Sequence, residues 1–345
     1  MALWQFITQH RDGAAISDIV ALIDRRLTFQ LNRPPIITAN LLANDVHARR
    51  DDTGGLQPGV HELKIYRDQS AIETVYALTS ATVTAGENSV MLGFEWQGIM
   101  SYLQDGTVYA QSTAYSSSSL AWDWIDTFQT RTNGDYGILE SVNAAGSRQK
   151  SIQQDTGLLD AIIQLSESGN EFDFTIDTNR GWVEYTQRGD DNNLVFEYGV
   201  NLLGVTYVES AGPGEIANAV RVIGPPGTQI VSANNTSSQT VYGRREASLA
   251  FFADFELASV TTGQLQAHAD AAILQRTRPV IVPQVKVAVN QASVDWGAYW
   301  LGDTVELRIN VGNYDTIAGE YRIVQIDVEL DANDNESIML GLNTV

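Results

Sequence analysis

The residues of this chain that could do chemistry are not placed to do it. Its four histidines, His10, His47, His61 and His268, stand at no spacing that would bring imidazoles onto one ion, so no transition-metal site is predicted. The absence of cysteine removes disulfides, thiolate ligands and thiol nucleophiles together. Neither a serine nucleophile elbow nor a glycine-lysine phosphate loop is present. A glycosidase needs two carboxyls across a glycosidic bond, and Glu95 with Asp123 is one such pair on paper. With 42 acidic residues, pairs of this kind are plentiful and nothing singles one out. Asp331-Ala332-Asn333-Asp334-Asn335 begins like a calcium loop but has Glu336 at the sixth place and Leu342 at the twelfth, so it reads as a hairpin turn. Arg188-Gly189-Asp190 spells an adhesion tripeptide inside a polar turn, Gln187–Asn193. No catalytic residue, cofactor or metal is therefore expected. Tryptophans could stack on sugars, yet Trp96 and Trp124 lie on apolar-patterned faces and are expected in a core. Trp296 and Trp300, beside Tyr299 just before a strand, are the candidates for an exposed subunit or partner contact.

The elements around these residues are mostly strands. In Tyr321–Leu330, Val324, Ile326, Val328 and Leu330 alternate with Gln325, Asp327 and Glu329, the period of a half-buried strand. Ile338, Leu340 and Leu342 continue the apolar face after the turn, and Val305, Leu307 and Ile309 alternate in the same way, as do Val285, Val287 and Val289. These make an antiparallel sheet or barrel of about four strands. Leu63 with Ile65, Val75–Thr84 and Val90–Trp96 predict a matching set near the front, joined through Ala85-Gly86-Glu87-Asn88. Ahead of it, Ala15–Ala43 reads as further strands broken by Pro34-Pro35. Three helices are predicted: Ser119–Thr130, capped from the preceding serines; Asp155–Ser168, stopped by Gly169; and Thr261–Arg276, with Pro279 beyond. Thr228–Tyr242, rich in Ser, Asn, Thr and Gly, is expected to be a loop.

One pattern occurs twice. Glu62-Leu63-Lys64-Ile65 leads to Ser89-Val90-Met91-Leu92-Gly93-Phe94, and Glu306-Leu307-Arg308-Ile309 leads to Ser337-Ile338-Met339-Leu340-Gly341-Leu342. The two words are 27 residues apart in the first case, from 62 to 89, and 31 in the second, from 306 to 337. One β-unit used twice explains this, with chance convergence of alternating strands as the alternative. Composition adds a second constraint. The 43% hydrophobic content is that of a globular chain. No apolar run approaches the ~20 residues that span a bilayer. Met1–Phe6 lacks a signal peptide's basic start, so synthesis in a cytoplasm without Sec export and no membrane anchor are expected. A net charge of −21 argues against tight binding to nucleic acid by counterion release.

Three segments in order carry a resemblance: Ala217–Gly224; Tyr242-Gly243-Arg244-Arg245-Glu246 with the helix that follows; and Leu301-Gly302-Asp303-Thr304-Val305 with Tyr321-Arg322-Ile323-Val324 and the acidic hairpin. The chain resembles the tail hub proteins of long-tailed bacteriophages, the baseplate hub or minor tail proteins, and Gly59–Trp96 is similar to the family's opening barrel. The resemblance implies a mainly β fold with α+β insertions. It would comprise two tail-tube-like antiparallel β-barrels, over 1–105 and 186–345, and a small middle α+β domain over 106–185, with a loop and helix inserted at about 228–280. It also implies a homotrimer at the virion's tail tip, joining the sixfold tail tube or distal tail ring to a threefold fibre or tip protein. The tape measure protein would be a neighbour, and genomic double-stranded DNA would pass through without tight binding. An acidic wall repels that polyanion, and Glu306, Asp327 and Glu329 are the candidates to line it. Any enzymatic or receptor-binding part is expected on another polypeptide. Two rival readings stand beside this one: a carbohydrate-binding or glycoside-hydrolysing β-protein acting on cell-wall glycans, and an adhesin using Arg188–Asp190.

Overall fold

A computed structural model of the chain describes residues 3–11, 13–48, 56–86, 90–109, 115–117, 119–142, 148–150, 156–167, 172–210, 216–224, 229–250, 262–276, 280–289, 296–310, 312 and 316–344. The expected caps, stops and turn residues Asp155, Gly169, Thr261, Pro279, Glu87 and Asn88, and Ser89 of the repeated word, lie outside these residues.

Alternation of apolar and polar residues lays down seven strands first: β1 (Trp4–His10), β2 (Ala15–Asp18), β3 (Ile23–Gln30), β4 (Ile36–Leu42), β5 (His61–Arg67), β6 (Ser70–Ala85) and β7 (Val90–Gly98). A middle region follows with short strands β8 (Thr107–Val108), β9 (Tyr115–Ser117), β10 (Leu139–Val142), β11 (Arg148–Lys150), β12 (Thr156–Gly157), β13 (Asp173–Ile176) and β14 (Gly181–Tyr185). It also holds helices α1 (Leu120–Gln129) and α2 (Leu158–Glu167). The rear region has β15 (Asp191–Glu197), β16 (Leu202–Ser210), β17 (Ala219–Ile223), β18 (Ile230–Asn234), α3 (Thr236–Tyr242), β19 (Glu246–Ala250), α4 (Thr262–Arg276), β20 (Val280–Val287), β21 (Thr304–Asn310), β22 (Thr316–Leu330) and β23 (Glu336–Thr344).

The doubled word marks a doubled topology. In the front unit the strands lie in the order β3-β4-β7-β6-β5-β1, and in the rear unit in the order β16-β20-β23-β22-β21-β15. Each position is filled in the same sequence order, β5-β6-β7 and β21-β22-β23 forming the shared meander. Both long hairpins carry a bulge, between Leu78 and Ser80 in front and between Ile323 and Gln325 behind. One polarity differs: β1 runs antiparallel to β5, whereas β15 runs parallel to β21. The turn between β3 and β4 is replaced behind by the β17–α4 insertion between β16 and β20.

Two separate barrels, however, are not what forms. Thirteen strands, β1–β7, β15, β16 and β20–β23, belong to one sheet, and among the described residues no sheet closes on itself. The halves merge because β22 outruns its neighbour β21. β21 pairs only Thr316–Arg322 of β22, and β3 of the front unit takes the remaining edge, Gln325–Leu330. One core then serves both units, with Leu27, Phe29, Ile37, Trp96, Ile326, Val328 and Leu340 fully buried in it or nearly so. Alternation fixes which face of a strand is buried, not which strand it pairs with.

The middle region has its own core. α1 buries Leu120, Ala121, Trp124, Ile125 and Phe128 at the expected helical spacing, α2 buries Leu158, Leu159, Ile162, Ile163 and Leu165, and both pack with Phe174 and Trp182. The insertion has a third core, in which Leu265, Ala269 and Ile273 of α4 meet Val220, Val222 and Val231. The segment expected to be a loop, Thr228–Tyr242, contains β18 and α3. Val231 and Ala233 alternate inward, and the Asn235 side chain caps the helix by accepting from the Ser238 N–H at 3.0 Å.

Candidate assembly interface

With its apolar face in the core, the sheet turns a polar face outward. Along the β3–β22 junction that face is a ladder of three cross-strand pairs. Gln30 donates to Gln325 at 3.0 Å, Thr28 donates to Asp327 at 2.6 Å, and Arg26 lies 3.6 Å from Glu329. Asp327 is nearly buried, its second oxygen accepting from Gln325 at 2.6 Å, while Glu329 is exposed. Glu306, on β21, is about 40% exposed and is held bidentately by Arg308 at 2.7 and 2.8 Å. That hydrogen bonding holds its carboxyl below the usual carboxylate range. Glu320 stands directly opposite it, and Asp191 shares the same cleft. The open face thus mixes Asp24, Glu95, Glu306, Glu320 and Glu329 with Arg26, Lys286 and Arg308.

The aromatic trio lies within the main core. Tyr299 is 2% exposed and meets Phe196 edge-on at 5.6 Å. Trp296 and Trp300 are half-buried and 5.1 Å apart; Trp296 also meets Trp4, and the Arg67 guanidinium lies 5.0 Å over its ring. Arg67 grips Glu336, which also accepts from the Trp4 indole at 2.7 Å, tying the first strand to the last.

Alternation gave no sign of the buried carboxylates that fasten the middle region to the sheet. Glu73 of β6 accepts from Arg188 and the Trp300 indole at 2.8 Å each and from Thr175 at 3.0 Å. Burial alone would push this carboxyl up, but the charge of Arg188 and the three donors together hold it below the usual range. Beside it, Asp173 of β13 accepts from Asn32, the Arg188 backbone and Arg322. A second joint centres on Glu62, fully buried, which takes bonds from Arg180, Gln9 and Tyr102. Burial first, then the Glu62 charge, push the Tyr102 phenol up to about 12, so it remains a donor. The signal available in the sequence was the cluster of Arg180 and Arg188 flanking Trp182 in an acidic chain.

In the Arg188-Gly189-Asp190 turn Arg188 is buried, while Gly189 and Asp190 are exposed. Arg188 sits in the Glu73 joint, the Asp190 backbone carbonyl accepts from the Thr304 N–H at 3.0 Å, and Gly189, at φ +90°, presses against Gly302, where a Cβ would come within 2.1 Å of backbone. The turn joins β14 to β15 and is fastened to the start of β21. Among the described residues no group of three histidines or carboxylates could hold a metal ion.

No protein-family model matches the chain, and no curated protein is similar to it in sequence. Its fold, by contrast, is that of tail and spike proteins. A 43 kDa tail protein of prophage MuSo2 from Shewanella oneidensis superposes with a TM-score of 0.69 at 10% identity, covering 98% of this chain and 97% of that one. A tail protein from Neisseria meningitidis MC58 gives 0.66 at 10% identity, covering 98% and 96%. An Escherichia coli component of the type VI secretion system gives 0.53 at 8% identity, covering 98% and 76%. At such identities the likeness is one of fold, extending over essentially the whole chain.

Proposed function

We propose that this chain is a structural, non-enzymatic subunit of a phage-like tail, three copies of which form the tip hub. The observation that carries this reading is the doubled unit, six strands in the same order in front and behind. Three chains bring six such units around one axis, matching a sixfold tube or distal tail ring on one side. The far side presents threefold symmetry to a fibre or tip protein. Likeness of fold to tail proteins over nearly the full chain supports it.

In this arrangement the polar face bearing Glu306, Asp327 and Glu329 lines the passage for double-stranded DNA. On that face carboxylates outnumber cations, and Arg26 and Arg308 are engaged by Glu329 and Glu306, so the wall stays acidic and offers phosphate no free arginine pair. The remaining surfaces of Trp296 and Trp300 take part in contacts with neighbouring tail proteins, the tape measure protein among them. The subunit is made in the host cytoplasm and resides at the virion's tail tip. Light scattering of the purified chain tests the reading: a three-subunit mass is expected, and a monomer at every concentration, alone and with its tail neighbours, contradicts it.

A further inference from the structure

Among the described residues, strand β6 has a long unpaired edge. β5 covers it only over Ser70–Ala77, while β7 pairs its other side out to Ala85. Beyond Leu78, whose carbonyl accepts from the Gly59 N–H, no described strand occupies the β5 side. Thr79, Ser80 and Thr82–Ala85 are exposed, Val83 by 60%. Ala77–Ala85 reads Ala-Leu-Thr-Ser-Ala-Thr-Val-Thr-Ala, without one charge in a chain of net −21. Sheets guard open edges with lysine, proline or brevity. The open β2 end is brief, at four residues, but the β6 edge has none of these guards.

The chain itself contains the same edge with its partner in place. In the rear unit β21 covers β22 over Thr316–Arg322, β23 pairs the other side, and β3 fills the strip beyond β21. The counterpart of β3 in the rear unit is β16, which pairs β20 and has no described strand on its other side; Leu203 there is 65% exposed. We propose that β16 of one copy lies antiparallel along Thr79–Ala85 of β6 in a second copy, repeating between chains the β3–β22 junction found within each. This rests on the reading that copies of the chain assemble in a ring, and it specifies the edges that meet. Each chain offers one donor and one acceptor edge, a head-to-tail contact that can close.

The internal repeat also sets the register. Gly93 and Gly341 hold equivalent places, opposite Thr82 in front and Gln325 behind, so Thr84 corresponds to Asp327. Asn40 and Gln284 face those glycines, which makes Ile36 equivalent to Val280 and their partners Thr28 and Ser210 equivalent. Because Thr28 opposes Asp327, Thr84 is to oppose Ser210 of the next copy.

The cysteine-free chain permits a direct test by disulfide trapping. The Thr84→Cys/Ser210→Cys chain, oxidised mildly, is expected to run as covalent dimers and trimers, and Thr84→Cys/Thr206→Cys, out of register, as monomer. A second variant, Thr82→Lys/Thr84→Lys, changes only exposed positions and is expected to keep its circular dichroism while falling from a three-subunit to a one-subunit mass. A three-subunit native mass with no covalent ladder, or with the lysine variant still assembled, overturns the edge pairing and leaves the hub reading standing. A parent chain that stays monomeric at every concentration, alone and with its tail neighbours, overturns both.

Discussion

Glu62 and Glu306 begin nearly the same four-residue word, differing only as Lys64 and Arg308, and meet different surroundings. Glu306 faces outward beside Arg308, while Glu62 is sealed under the middle region by Arg180. A carboxylate in an alternating strand reads as a solvated face, and only a distant arginine turns it into a buried joint, which is why Glu62 and Glu73 were not legible. Glu73 makes this measurable. Its folded pKa lies below the unfolded value, so its contribution is complete above the ordinary glutamate range and is lost as pH falls through the folded value. Glu73→Gln leaves Arg188 buried without its counter-charge and is expected to cost about 3–5 kcal/mol near neutral pH. The gap from the parent should shrink in acid, as read by urea melts across pH. Gly189→Ala forces a positive φ and a backbone clash at Gly302, and should lower stability by about 2 kcal/mol or more in the same melts.

At the scale of elements, β22 shows how far a pattern reaches. Its even-numbered apolar positions, Ile326, Val328 and Leu330, are buried as expected, but before the bulge the parity reverses and Tyr321 and Ile323 face inward. Nothing in a run of alternating residues announces a bulge. The helices were legible because α1, α2 and α4 repeat apolar residues at three and four. α3 was not, because its Thr-Ser-Ser-Gln-Thr-Val-Tyr has no apolar stripe and depends on the Asn235 cap. The partner of β22's free edge was the least legible feature, since β3 lies some 300 residues away in sequence. Leu27, fully buried opposite Val328, tests that junction: Leu27→Ala should cost about 2–5 kcal/mol. Because one core serves both units, hydrogen exchange should rise in β3–β7 and β20–β23 together. A loss confined to the front unit would contradict the shared core.

For the whole molecule, the repeated words pointed correctly to a doubled β-unit, and the expectation of two separate barrels gave way to one continuous sheet. Alternation along a strand says nothing of what its edge meets in an assembly; here only the repeated strand order gives a lead. The most direct measurement is a reconstruction of a tail particle carrying this chain, read for copy number and for the surface facing the axis. The account predicts three copies around an axial passage, six equivalent sheet units in the ring, and Glu306 and Glu329 toward the opening. A different copy number, or a passage on which lysine and arginine outnumber carboxylates, would contradict it.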